Sequence, residues 1–184
     1  KDFFQLYKAN RKISRGSDSI PSKLNWSLIH NTLDKMYEEL KEFFPYKIIQ
    51  ISGAEADDVI AILTKVFSPS QKILIVSGDE DFIQLQKYTN VYQFSPRLKN
   101  FIKTKTPKKV LKEHIIRGDS GDGVSNMLSE DNVFVTQTRQ KSINSKKLEL
   151  WLTQDPATFC SSTTATRGWA RNKTLINFDC ITLN

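Results

Sequence analysis

From 25 to 44, Trp26, Ile29, Leu33, Met36, Tyr37, Leu40, Phe43 and Phe44 recur at three- and four-residue spacing. This predicts an amphipathic helix ended by Pro45. The run YKIIQI at 46–51 is short and rich in β-branched residues and predicts a strand. Gly53 breaks it, and a helical period resumes through Val59, Ile60, Leu63, Val66 and Phe67, closed by Pro69. KILIVS at 72–77 is almost continuously apolar, as expected of a strand buried on both faces of a parallel sheet. Gly78 ends it, 79–87 predicts a short helix, and 91–94 and 101–103 predict short strands about a Ser95-Pro96 turn. The expected core is α/β of βαβ type: a mainly parallel sheet with flanking helices.

After Thr106-Pro107 the chain changes character. Residues 108–117 predict a helix, RGDSGDGVSN follows as a polar loop, and the remainder carries few strand signals. The expected division is a core over 1–104 and a smaller, helical unit over 105–184. The Ser- and Thr-rich stretch 153–166 has weak periodicity and predicts no firm structure, and no repeat recurs at a fixed period.

Composition adds three constraints. The 184 residues and 39% apolar content suit one core with a small appendage. No apolar run approaches the roughly eighteen residues of a membrane span, and the start has no signal-type stretch, so no membrane partner is expected. Cys160 and Cys180 form no CxxC pair, so neither a disulfide framework nor a thiolate zinc site is indicated, and a reducing, cytoplasmic setting is expected.

The net charge of +7 favours a polyanionic partner, and its distribution is more informative than its sum. Residues 52–83 hold Glu55, Asp57, Asp58, Asp79, Glu80 and Asp81 against Lys65 and Lys72. A basic belt over 97–117 follows, with Arg97, Lys99, Lys103, Lys105, Lys108, Lys109, Lys112 and Arg117 against Glu113. Lys1, Lys8, Arg11, Lys12 and Arg15 form a second basic cluster. A solvated face is the ordinary role of such a run. Acids embedded in a basic chain point instead to a cation bridging them to a phosphate.

The acids also fall where open α/β sheets bind ligands, just past the carboxyl ends of strands. Glu55, Asp57 and Asp58 follow the expected strand at 46–51, Asp79 and Asp81 follow the one at 72–77, and Asp119 and Asp122 lie on the next polar loop. Helix capping explains any one of them, Asp79 above all. It gives no reason for GAEADD, SGDED and GDSGD in order with basic segments around them. Oxygen donors without thiols suit Mg²⁺ or Mn²⁺. Two such ions about 4 Å apart would support phosphodiester hydrolysis. His30 and His114 have no metal-spaced partner and read as structural or solvated, as do Tyr7, Trp26 and Trp169 among the aromatic residues.

The segments GAEADDVIAIL, ILIVSGDEDFIQL and RGDSGD, with YKANR at 7–11, QFSP at 93–96 and LINFD at 175–179, resemble the 5′-nuclease family. That family includes flap endonucleases and the 5′ nuclease domains of bacterial DNA polymerases. The resemblance runs from about 2 to 179 and thins after Asn126. It implies a PIN-like core with an arch segment at about 1–23, mobile over 14–23, then a helix-three-turn-helix region. It implies two Mg²⁺ ions (Mn²⁺ as a substitute) held by Glu55, Asp57, Asp58, Asp79, Asp81, Asp119 and Asp122. Asp58, Asp79 and Asp81, with Lys8 and Arg11, would be catalytic. Lys8, Arg11, Lys12, Arg15, Lys105, Lys108 and Lys109 would contact nucleic acid. The implied activity is 5′-3′ exonuclease and flap endonuclease with RNase H-type cleavage at 5′ ends on duplex DNA, alongside replication partners such as a single-strand binding protein or a clamp.

Three departures bear on this. The family carries two further aspartates upstream of its arch, so these 184 residues alone are expected to cleave poorly. The family's DN becomes Asp122-Gly123, followed by VSNMLSEDN in place of a glycine-rich hairpin, which affects the duplex contact. Thr158 to Arg167 departs from a charged helix, and the C-terminal part is short against the family. Rival readings are a non-catalytic nucleic-acid-binding module, a PIN-type ribonuclease and a haloacid-dehalogenase-type phosphotransferase. The last wants a hydroxyl residue after its DxD, where Phe82-Ile83 stand.

Overall fold

The computed structural model describes residues 3–16 and 24–181. Arg15 lies in the first helix but its side chain is outside the described residues, as are residues 17–23 of the expected mobile part (14–23) of the arch at about 1–23. The helices are α1 (Ala9–Gly16), α2 (Trp26–Phe43), α3 (Ala56–Phe67), α4 (Pro107–Arg117), α5 (Ser145–Thr153), α6 (Pro156–Phe159) and α7 (Thr163–Ile176). The strands are β1 (Ile73–Val76), β2 (Val91–Ser95) and β3 (Asn100–Ile102), in the order β1-β2-β3.

The sheet is mixed, which corrects the mainly parallel expectation. β1 pairs in parallel with β2, Ile73 opposite Val91, and a 3-10 helix (Glu80–Lys87) makes the crossover. β2 pairs antiparallel with β3, Ser95 opposite Asn100, because so short a connection can only turn the chain back on itself. The expected strand at 46–51 does not form. A β-rich run becomes a strand only when a neighbouring edge takes its N–H and C=O groups, and no described strand does so here. β1 also departs from its expected burial on both faces. Ile75 is 5% exposed, whereas Leu74 and Val76 are 55% and 61% exposed, since α3 and the 3-10 helix cover one face alone.

α2 is the helix that the spacing predicts, started by the Asn25 side chain accepting from Leu28 N–H at 3.0 Å. Phe44 is extended, as a residue before proline must be. None of its described residues is buried, and Phe43 is 75% exposed.

Ala61, Ile75, Phe82, Leu85 and Val91 form the core beneath the sheet. A second core of Ile116, Met127, Leu148, Trp151, Phe159 and Ala165 joins α4 to the C-terminal helices. Residues 153–166 are more ordered than their composition predicts. Asp155 caps α6 by accepting from Ala157 N–H at 2.9 Å, and Ser162 caps α7 by accepting from Ala165 N–H at 3.2 Å. Between α4 and α5 the chain is chiefly turns, with one isolated bridge between Asp119 and Val124.

Three buried polar side chains brace the parts that carry the acids. Gln93, 1% exposed on β2, donates to the Ser77 and Asp79 carbonyls at 3.0 and 2.6 Å, bracing the turn after β1. Asn172 on α7 donates to the Ile115 and Ser125 carbonyls at 2.8 and 2.9 Å. Buried Arg171 pairs with Asp131 and donates to the Ser125 carbonyl. α4 ends on Gly118 at φ 70°, where a Cβ would stand 2.4 Å from the Val124 carbonyl oxygen, so only glycine permits the sharp exit into the 119–122 turn.

Candidate metal and phosphate site

Three turns deliver the expected acids to one rim. Glu55, Asp57 and Asp58 open α3, and Asp58 accepts from Glu55 N–H at 2.9 Å. Asp79 opens the 3-10 helix, accepting from Asp81 N–H at 3.0 Å. Asp119 and Asp122 lie on the tight turn after α4, where Asp119 accepts from Asp122 N–H at 3.1 Å. Capping and clustering therefore coexist: backbone N–H bonds hold Asp58, Asp79 and Asp119 in place at the rim.

Two adjoining clefts collect the expected ligands. One, of about 610 Å³, is lined by Glu55, Asp57, Asp58, Asp81, Asp119 and Asp122. The other, of about 550 Å³, shares Asp57, Asp81, Asp119 and Asp122 and adds Asp79. Lys8 and Arg11 line both. Asp57 shows how dense the negative charge is. Burial raises its pKa, and repulsion from Asp79, Asp81 and Glu55 raises it further against the pull of Lys8.

Cations already stitch the rim together. Lys8 Nζ lies 2.5 Å from Glu55 and 3.6 Å from Asp122. Arg11 pairs with Asp122 at 2.6 Å, and Tyr7 donates its hydroxyl to the same carboxylate at 2.7 Å. Burial and that bond raise the Tyr7 pKa, so the phenol keeps its proton. Asn10 Nδ2 donates to the Ser120 carbonyl at 2.8 Å, docking α1 on the Asp119–Asp122 turn. Gly123 follows at φ 72°, and a Cβ there would meet Asn10 Oδ1 at 2.9 Å, a physical reason for glycine after Asp122.

His114 corrects the reading from sequence. It stands between two expected ligands, Nδ1 3.1 Å from Asp81 and Nε2 3.6 Å from Asp119, and these three are close enough to share one ion. Burial works against its charge, but pairing with Asp119 and Asp81 outweighs this and raises its pKa to about 10. The Asp119 carboxyl is correspondingly held down, first by His114 and then by backbone N–H groups, against burial. A lone histidine on an expected helix gives no sign of this, because Asp81 reaches it from another element.

The expected nucleic-acid contacts divide. Lys12 is exposed on the larger cleft beside Lys8 and Arg11. Lys105, Lys108 and Lys109 line a separate cleft of about 470 Å³ at the opposite end of α4 from His114 and Asp119. Lys112, within the basic belt, donates to the Leu152 carbonyl at 3.3 Å and so serves the junction with α5. Arg97 and Tyr7 line the clefts though the sequence did not mark them as ligands of anything.

Comparison with known proteins gives the family and the fold. Residues 1–115 match the family model described as the 5′-3′ exonuclease N-terminal resolvase-like domain. The chain is 35% identical over 153 residues to a ribonuclease H of Enterobacteria phage T4, covering 82% of this chain and 49% of that protein. It is 33% identical over 132 residues to a 5′-3′ exonuclease of Buchnera aphidicola, covering 66% of this chain and 41% of that protein. The chain thus spans less than half the length of these relatives. Its fold is shared with a bacteriophage T5 flap endonuclease solved as a complex with DNA and metal ions. The TM-score is 0.65 at 16% identity, over 96% of this chain and 68% of that one. No helix among the described residues is long and apolar enough to cross a membrane.

Proposed function

Since the chain belongs to the 5′-3′ exonuclease family, we propose that it hydrolyses phosphodiesters at 5′ ends and flaps of RNA or DNA on duplex DNA, using divalent metal ions. The observation that supports this most is the gathering of Glu55, Asp57, Asp58, Asp79, Asp81, Asp119 and Asp122 about two adjoining clefts also lined by Lys8 and Arg11. The donors fit hard cations: they are carboxylates, and a cation would relieve the burial and the repulsion from Asp79, Asp81 and Glu55 that raise the Asp57 pKa.

Glu55, Asp57, Asp58, Asp79, Asp81, Asp119 and Asp122 would hold two Mg²⁺ ions, with Mn²⁺ able to replace them. Ions held there supply Lewis-acid stabilisation of the phosphate and a reactive water near neutral pH. Lys8 and Arg11, now paired with Glu55 and Asp122, take the non-bridging oxygens of the scissile phosphate. His114 spaces Asp81 from Asp119. Gln93 holds the Asp79 turn at its angle. Lys12 and Arg15 extend the contact along the strand, and Lys105, Lys108 and Lys109 take duplex phosphates further away, in a 105–184 unit of helix-three-turn-helix type. A role in primer removal, in the cytoplasm and beside a single-strand binding protein or clamp, completes the reading.

The direct test is a 5′-labelled flap and an RNA–DNA hybrid incubated with the chain and Mg²⁺. Release of short 5′ products, abolished by Asp58→Asn, is expected, and slow cleavage suffices. Binding of both substrates with no cleavage in Mg²⁺ or Mn²⁺ would leave a binding module in place of the nuclease. Cleavage of single-stranded RNA with indifference to 5′ flaps would point to a PIN-type ribonuclease.

A further inference from the structure

Four cationic side chains line the 550 Å³ cleft: Lys8, Arg11, Arg97 and His114. Three are paired with its carboxylates, Lys8 with Glu55 and Asp122, Arg11 with Asp122, and His114 with Asp81 and Asp119. Arg97 is exposed and makes no ion pair among the described residues, although Asp79, Glu80 and Asp81 line the same cleft. An unpaired guanidinium beside so many acids remains available to an incoming anion.

Its position is fixed by the backbone beneath it. Arg97 sits on the turn between β2 and β3, where Ser95, 1% exposed, accepts from Leu98 N–H at 3.3 Å. Phe94 and Phe101 clamp the two strands edge to face at 5.4 Å. A Cβ at Gly78 would stand 3.0 Å from Ser95 Oγ, so this turn packs directly on the residue before Asp79. Lys8 and Arg11, by contrast, reach the cleft from the Asp122 side, because α1 docks on the Asp119–Asp122 turn.

The geometry points to Arg97 as a phosphate contact on the Asp79 side of the cleft, so that a nucleic-acid strand crossing the acids is held by α1 at one flank and by the β2–β3 turn at the other. This rests on the nuclease reading above and adds to it a residue and a strand path. A guanidinium fork suits a phosphate diester, offering two parallel N–H donors where lysine offers a point charge. A solvated arginine is the ordinary alternative, and it predicts no effect on binding.

The test is equilibrium binding of a fluorescent 5′-flap DNA to the full chain in Ca²⁺, followed from 50 to 300 mM KCl, for wild type, Arg97→Ala, Arg97→Lys and Lys103→Ala. Lys103 lines a different cleft. Arg97→Ala should weaken binding and flatten the log–log salt slope by about 0.9, one duplex phosphate contact. Arg97→Lys should restore the slope but not the full affinity. Lys103→Ala should match wild type in binding, and the thermal midpoint of both Arg97 variants should stay unchanged, since Arg97 makes no described hydrogen bond or ion pair. Wild-type slope and affinity in Arg97→Ala, or an equal loss in Lys103→Ala, would overturn the assignment while leaving the nuclease reading intact. Failure of the wild-type chain to bind the flap at 50 mM KCl would overturn both.

Discussion

His114 Nδ1 lies 3.1 Å from an Asp81 carboxylate oxygen, and its other ring nitrogen faces Asp119 at 3.6 Å. One imidazole therefore ties the start of the 3-10 helix to the turn after α4, two of the three turns that bring acids to the rim. Without bound metal this cation supplies part of the positive charge that the cluster lacks, and that gives the first prediction.

The His114 pKa is raised to about 10 in the fold, against about 6.5 for a free imidazole. A raised value means that the folded state binds the proton more tightly, so the stabilisation is complete below pH 6.5 and disappears as pH climbs through 10. Urea unfolding of the EDTA-treated protein should show wild type more stable than His114→Gln at pH 6, with the gap closing by pH 10. A gap that stays constant over that range would contradict the pairing.

Asp57 carries the opposite sign. Its carboxyl pKa is raised by burial and by neighbouring acids, so its ionised form destabilises the metal-free fold at neutral pH. Asp57→Asn should raise the thermal midpoint in EDTA at pH 7, while the further rise that wild type gains on adding Mn²⁺ shrinks in the variant. A lowered midpoint in EDTA would show that Asp57 is not electrostatically strained.

Gln93→Leu should cost about 1–3 kcal/mol in urea unfolding, the typical penalty for leaving buried carbonyls without donors. The affected carbonyls are those of Ser77 and Asp79. The variant should also bind Mn²⁺ more weakly, because the Asp79 turn is no longer braced. Unaltered metal binding in a destabilised variant would confine Gln93 to a packing role.

The sequence revealed those parts of the fold whose cause is local. β1, β2 and α3 are legible because β-branched runs and helical periods are punctuated by Gly53, Pro69 and Gly78. The positions of the acids at helix starts and turns were legible as well, and backbone N–H groups hold Asp58, Asp79 and Asp119 there. YKIIQI misled because strand formation depends on a partner edge, and local composition says nothing about that edge. α6 and the start of α7 were readable in principle from Asp155-Pro156 and Ser162, the usual cap and first-turn residues, but Ser/Thr-rich composition masked them. His114 was not legible as a site residue, because Asp81 meets it from a distant segment.

The central claim is that acids from three turns form one binding site for divalent cations. Titration of Mn²⁺ into EDTA-stripped protein, read by the paramagnetic resonance of the free ion, tests it most directly. Wild type should take up two ions, and Asp79→Asn and Asp122→Asn, on different turns, should each weaken uptake by at least about tenfold, or 1.4 kcal/mol. Glu38→Gln, on exposed α2, should leave it unchanged. Uptake that ignores both aspartate substitutions, or no uptake by wild type, would contradict the account.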